Sequence, residues 1–139
     1  MRTLTDGERK FLLGNRLGSL ATLNNGAPHV VPVTYIVLHD CIWVRIEAGS
    51  RKHKNLLADA RVSFSVYTHH PDEGVTICGN AEFVSTGVEY KDMLKAYYAT
   101  ASPTLKENPF IKIVASSIAS WHDERVESDG KVSYMHQQL

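Results

Sequence analysis

Apolar and polar positions along this chain follow two periods, and each change of period marks an element. Thr5-Asp6-Gly7-Glu8 has the spacing of a capping box, and Phe11, Leu12 and Leu13 follow before Gly14-Asn15, so a short helix is predicted. Gly18–Leu23 then reads as a strand, Asn24-Asn25-Gly26 as a hairpin turn, and His29–Leu38 as the returning strand. The run Val30 to Val37 is almost continuously apolar, which predicts a strand covered on both faces. Pro32 removes one backbone donor from it. That confines it to an edge, a bulge, or a place where something other than a strand lies alongside.

His39-Asp40 forms a tight turn into a third strand, Cys41–Ile46. A short helical pattern, Arg51–Asp59, follows with Leu56 and Leu57 as its apolar side. Arg61–Tyr67 alternates cleanly, the loop His69-His70-Pro71-Asp72-Glu73-Gly74 is rich in turn formers, and Val75–Val84 alternates again. Thr86-Gly87-Val88-Glu89 repeats the capping-box spacing, with Tyr90, Leu94, Tyr97, Tyr98 and Ala101 at helical intervals behind it. Ser102-Pro103 ends that helix, Phe110–Trp121 returns to strand character, and residues 122–139 read as a polar tail. Closely spaced hairpins with few helices predict a mainly β fold with flanking helices: a six-stranded antiparallel barrel in one domain, residues 1–139.

Composition narrows the function classes. The chain has 139 residues, 43% of them hydrophobic, enough for one packed core. Lys plus Arg and Asp plus Glu are both 15, so no general basic field exists to recruit nucleic acid or an anionic membrane, and any anion site must be local. Cys41 and Cys78 have no Cys-x-x-Cys spacing, no secretory signal pattern opens the chain, and no apolar run spans a bilayer. A reduced cytoplasm is the expected setting.

One local charge pattern carries chemistry. Gly49-Ser50-Arg51-Lys52 opens the second helix, with Ser50 as its N-cap and Gly49 as the tight approach. Arg51, Lys52 and Lys54 place cations at the positive end of a helix dipole, where stability alone favours acids. An anion such as phosphate would account for them, although a basic helix start on a plain surface has the same sequence. His69-His70 with Asp72 and Glu73 has metal-ligand chemistry, but neighbours in one loop rarely converge on one ion. Trp121, at a strand end, either caps the core or lies near a ligand.

Taken in order, Arg16-Leu17-Gly18-Ser19-Leu20-Ala21-Thr22, Pro28 to Tyr35, Gly49-Ser50-Arg51-Lys52 with Asn55-Leu56, Ala60-Arg61-Val62-Ser63, Gly79-Asn80-Ala81-Glu82 and Ser120-Trp121 resemble the pyridoxamine 5'-phosphate oxidase-like family of FMN-binding split β-barrels. The resemblance implies a homodimer with FMN in two clefts between subunits. By position it assigns the phosphate to Ser50, Arg51 and Lys52, and flavin contacts to Val31, Pro32, Val33, Thr34, Arg45 and Ile46, with Trp121 added as a ring contact. Gly74 stands where the oxidase proper resembles a glutamine, and that enzyme's C-terminal substrate contacts have no counterpart here. The resemblance therefore implies a short relative acting on another small molecule, using FMN or a deazaflavin cofactor, or a carrier of FMN or haem without turnover. His29, His53 and His122 keep an axial haem ligand open.

Overall fold

A computed structural model describes residues 3–98, 109–122, 125–128 and 131–134. Helix α1 (Asp6–Leu13) leads into β1 (Leu17–Asn24), β2 (Ala27–Thr34), β3 (Ile36–Leu38) and β4 (Cys41–Arg45). Helix α2 (Arg51–Ala58), β5 (Arg61–Thr68), β6 (Glu73–Val84), α3 (Gly87–Tyr98) and β7 (Phe110–His122) follow, and β8 (Arg125–Ser128) with β9 (Lys131–Tyr134) completes the chain. All strand pairings are antiparallel, in the order β2-β1-β5-β6-β7-β4-β3, with the β8–β9 hairpin joined to the end of β7. The sheet curls into a split barrel, with three helices around it among the described residues.

Local chemistry builds the turns as expected. Thr5 and Glu8 form both halves of the capping box on α1. Asn25 and Gly26 both have positive φ (52° and 83°), the backbone of a two-residue hairpin that matches strand twist. His39 and Asp40 adopt the same region without glycine; Arg9 fixes the turn from Nε to Asp40 Oδ1 at 2.7 Å, and that contact holds the Asp40 carboxyl below its usual pKa.

Long-range geometry changes several expectations. The strand expected over His29–Leu38 breaks at Tyr35, so β2 lies at one end of the sheet order and β3 at the other. Tyr35 turns inward at this switch, and its hydroxyl donates to the Leu12 carbonyl at 2.6 Å. One continuous piece of chain thus ties the two edges together.

Coverage of β2 also differs. Among the described residues it pairs only with β1, leaving Val30 60% exposed and Pro32 and Thr34 at the surface. The strand covered on both faces is β4: Ile42 and Val44 enter the barrel core, whereas Trp43 lies under α3 with Met93 and Phe110. On α2 only Leu56 packs inward, and Leu57 is exposed. Glu89 pairs with Lys112 at 3.1 Å instead of closing a capping box on Thr86. The polar stretch after His122 contains the β8–β9 hairpin, and this with the break at Tyr35 turns the six expected strands into nine among the described residues. Ala101 and Ser102-Pro103 lie outside the described residues.

Candidate cofactor cleft

The α2 start is built as the sequence indicates. Gly49 has φ +81°, and Ser50 has an extended backbone and accepts a hydrogen bond from the His53 amide at 3.2 Å. The Gly49 amide donates to His53 Nδ1 at 3.0 Å, while the Ser50 amide, which a capping box would pair with the third helical side chain, donates to the Glu47 carbonyl at 3.1 Å. The Ser50 hydroxyl proton remains available to donate. Arg51 is exposed and Lys52 half-buried, and no acid lies in the first turn. Among the described residues no ion pair engages Arg51, Lys52 or Lys54. Asn55 anchors the helix, donating from Nδ2 to the buried Thr22 hydroxyl at 3.0 Å, while Leu56 fills the core behind it.

Strand alternation sorts the other expected contacts. On β2, Val31 packs against the core and Val33 is part of it, whereas Pro32 and Thr34 face out. Ile46 is fully buried, and its amide is taken by the Pro109 carbonyl at 2.7 Å. Val33 and Ile46 can therefore offer a ligand no side-chain surface in this arrangement. Because β2 is an edge, its outer backbone groups remain open to a molecule lying alongside, which is where Pro32 costs nothing. Arg45 shares the outer face of β4 with Trp43, and its Nη1 is buried without a hydrogen-bond partner. His29 Nδ1 is in the same condition.

Thr34 and Arg45 meet in a cavity of about 420 Å³ walled by the end of α1, the β2–β3 switch, β4 and α3. Arg16 and Tyr97 also line it. Sequence spacing did not single them out, because α1, β4 and α3 converge only in the folded chain. The one local signal was an arginine two residues beyond a buried tryptophan, hence on the same strand face.

Trp121 stands apart from these residues. It lies at the end of β7 opposite the one that pairs with Arg45. Along the curled sheet Thr34 lies four strands away, on β2. The indole Nε1 donates to Asp72 at 3.0 Å, and the ring occupies the space where a Cβ on Gly74 would sit. This accounts for glycine at that position. Trp121 borders a second cavity, about 490 Å³, with Phe11, Glu73 and the buried Glu8. The His69 and His70 rings lie with centroids 4.2 Å apart, tilted by 52°, and among the described residues no three metal-ligating side chains gather.

A protein-family model described as pyridoxamine 5'-phosphate oxidase matches residues 4–134. No curated protein matches the sequence. Among solved structures, the chain is similar to protein Rv2991 from Mycobacterium tuberculosis, at 26% identity and a TM-score of 0.66 over 86% of each chain. It shares its fold with an FAD-binding protein from Mesorhizobium loti, at 22% identity and a TM-score of 0.67 over 86% of this chain and 95% of that one. A heme-binding protein from Mycobacterium smegmatis matches at 20% identity and a TM-score of 0.77, over 88% of this chain but 55% of its own length.

Proposed function

The chain belongs to the pyridoxamine 5'-phosphate oxidase-like family, and from that membership we propose that it is a flavin-dependent oxidoreductase passing hydride to or from a small-molecule substrate. The observation that carries this reading is the α2 start: three cations with no carboxylate partner among the described residues, at the positive end of a helix packed on β1. Ser50, Arg51 and Lys52 hold the phosphate end of FMN, by hydroxyl and charge. Pro32 and Thr34 present their outer side chains to it, Val31 and Val33 only backbone, and Arg45 supplies a positive charge. Ile46, fully buried, positions Arg45 without touching the ligand.

Bound flavin supplies the redox chemistry at its ring, so the protein's part is binding, orientation and exclusion of water. No acid–base side chain is assigned a step. The deazaflavin cofactor fits the same phosphate cradle and is the alternative for the same site.

A homodimer completes the site in this reading. The outer face of β2-β1-β5-β6-β7 carries small uncharged side chains such as Ser19, Ala21, Ser65 and Thr76, with Val30 and Pro32 at its edge. Such a face suits stacking against a second copy. Trp121, which borders a different cavity from Thr34 and Arg45, would then serve the partner's cleft. Two free cysteines, Cys41 and Cys78, fit a reducing cytoplasm.

Carriage of haem is the second reading, favoured by the unpartnered His29 Nδ1. A visible spectrum of the purified protein separates the two: a flavin band supports the first, a Soret band the second. Replacing Lys52 by Ala removes one charge-assisted bond, which is expected to weaken FMN binding by ~2 kcal/mol, roughly thirty-fold. Unchanged affinity in that variant would refute the cradle. Turnover with a nicotinamide cofactor, or with reduced deazaflavin, tests the enzyme assignment; flavin bound with neither reaction supports a carrier.

A further inference from the structure

Arg45 makes no hydrogen bond with its buried Nη1, and among the described residues it has no carboxylate partner. A guanidinium nitrogen removed from water and left unpaired is costly, and such an atom beside a cavity marks a place for an acceptor. The cavity it lines has a second arginine, Arg16, and no Asp or Glu among the described residues. Its remaining wall is largely apolar and aromatic, with Trp43, Ile36, Met93 and Tyr97. At about 420 Å³ it is the size of a small-molecule site.

We propose that this cavity binds a small organic anion, its carboxylate or phosphate taken by Arg45 with Arg16 beside it, and its apolar body lying against Trp43 and α3. Two planar guanidinium groups without an internal acid select anionic oxygen over a neutral or cationic group. The aromatic wall selects a flat or hydrophobic body. Thr34 and Arg45 belong also to the flavin strip, so the anion is either the flavin's own phosphate or a group on a separate substrate. The second source is favoured because Ser50, Arg51 and Lys52 already provide a phosphate cradle; this substrate role rests on the flavin reading, whereas the anion site does not.

Calorimetric titration with 1-naphthoate, and with 1-naphthalenemethanol as the neutral analogue, tests the site. Naphthoate is expected to bind wild-type protein and to bind Arg45→Met at least ten-fold more weakly, with Arg45→Lys recovering part of the loss. The alcohol should bind both proteins alike. Absence of naphthoate binding, or binding insensitive to Arg45→Met, overturns the proposal. Should Arg45→Met fail to fold, wild-type protein still decides: naphthoate must exceed the alcohol ten-fold by an amount that shrinks with added NaCl, and equal affinities overturn it. Loading with FMN first identifies the source of the anion. Simultaneous binding supports a separate substrate, whereas competition, with equal loss of FMN affinity in Arg45→Met, supports the flavin's phosphate. Naphthoate held through Arg45 by a protein that takes no flavin upholds the anion site and removes the flavin reading.

Discussion

Helices α1 and α2 are each eight residues long and each begins on a hydroxyl cap, yet their first turns carry opposite charge. In α1, Thr5 is followed by Asp6 and Glu8, both matched to the helix dipole, and Glu8 closes the capping box. In α2, Ser50 is followed by Arg51, Lys52 and Lys54, and His53 stands where an acid would close a capping box but takes the Gly49 amide instead. One start uses its free amides for internal stability. The other leaves a positive end facing outward with nothing among the described residues to neutralise it. The difference separates a structural helix from one that answers to a ligand.

The comparison breaks most visibly at Glu8. This carboxylate is 3% exposed, accepting from the Thr5 amide at 2.9 Å and from the Ser120 hydroxyl at 2.6 Å. Replacing it by Ala removes both of these hydrogen bonds from a buried site. A loss of about 3 kcal/mol in unfolding free energy is expected. Urea denaturation measures it, while FMN affinity in the folded protein should not move. A loss of flavin binding without a loss of stability would reverse the roles assigned to the two helix starts.

A smaller effect is expected at the other end of α1. The Tyr35 hydroxyl donates to the Leu12 carbonyl, and burial pushes its pKa up to about 12 from an ordinary value near 10. The folded state therefore keeps this proton where the unfolded chain begins to release it. Stability from this group is complete below pH 10 and is lost as pH rises toward 12. Tyr35→Phe should cost about 1 kcal/mol at neutral pH. It should also flatten the decline between pH 10 and 12 relative to wild type, as urea midpoints across that window would show. A slope identical to wild type would mean that Tyr35 ionises as freely in the fold as outside it.

Local features were legible in the sequence because neighbours in sequence make them. The Thr5–Glu8 box, the Asn25-Gly26 turn and the Ser50 cap each depend on a few consecutive residues. The alternation in β5 and β6 and the ordered family resemblance were enough for a split barrel. What escaped depends on residues far apart in the chain. The apolar run Val30 to Val37 has the composition of a buried strand, but Tyr35 turns the chain from one sheet edge to the other, and Val30, Pro32 and Thr34 lie at the surface. Thr86-Gly87-Val88-Glu89 has capping-box spacing, yet Lys112, 23 residues further on, takes the carboxylate. Ser120 and Glu8 meet across 112 residues. At the candidate site, sequence indicated Arg45 but not that its Nη1 would be buried and unpartnered, since that depends on α1 and α3 closing around it.

The smallest change carries the most informative sign. Arg51→Glu would give α2 the kind of acidic first turn that α1 has, on an exposed position where packing is not at stake. Without ligand, an acid at the positive end of the dipole is expected to raise stability by about 0.5 kcal/mol. With FMN present the same change places like charge beside the phosphate and should weaken binding. Thermal melts without and with FMN read both effects: the variant should melt higher than wild type alone and gain less from the flavin. A helix start kept basic for its own stability would show the opposite, a lower melting point without ligand and an unchanged gain with it. The sign of that first shift therefore tells whether α2's charges serve the fold or an anion.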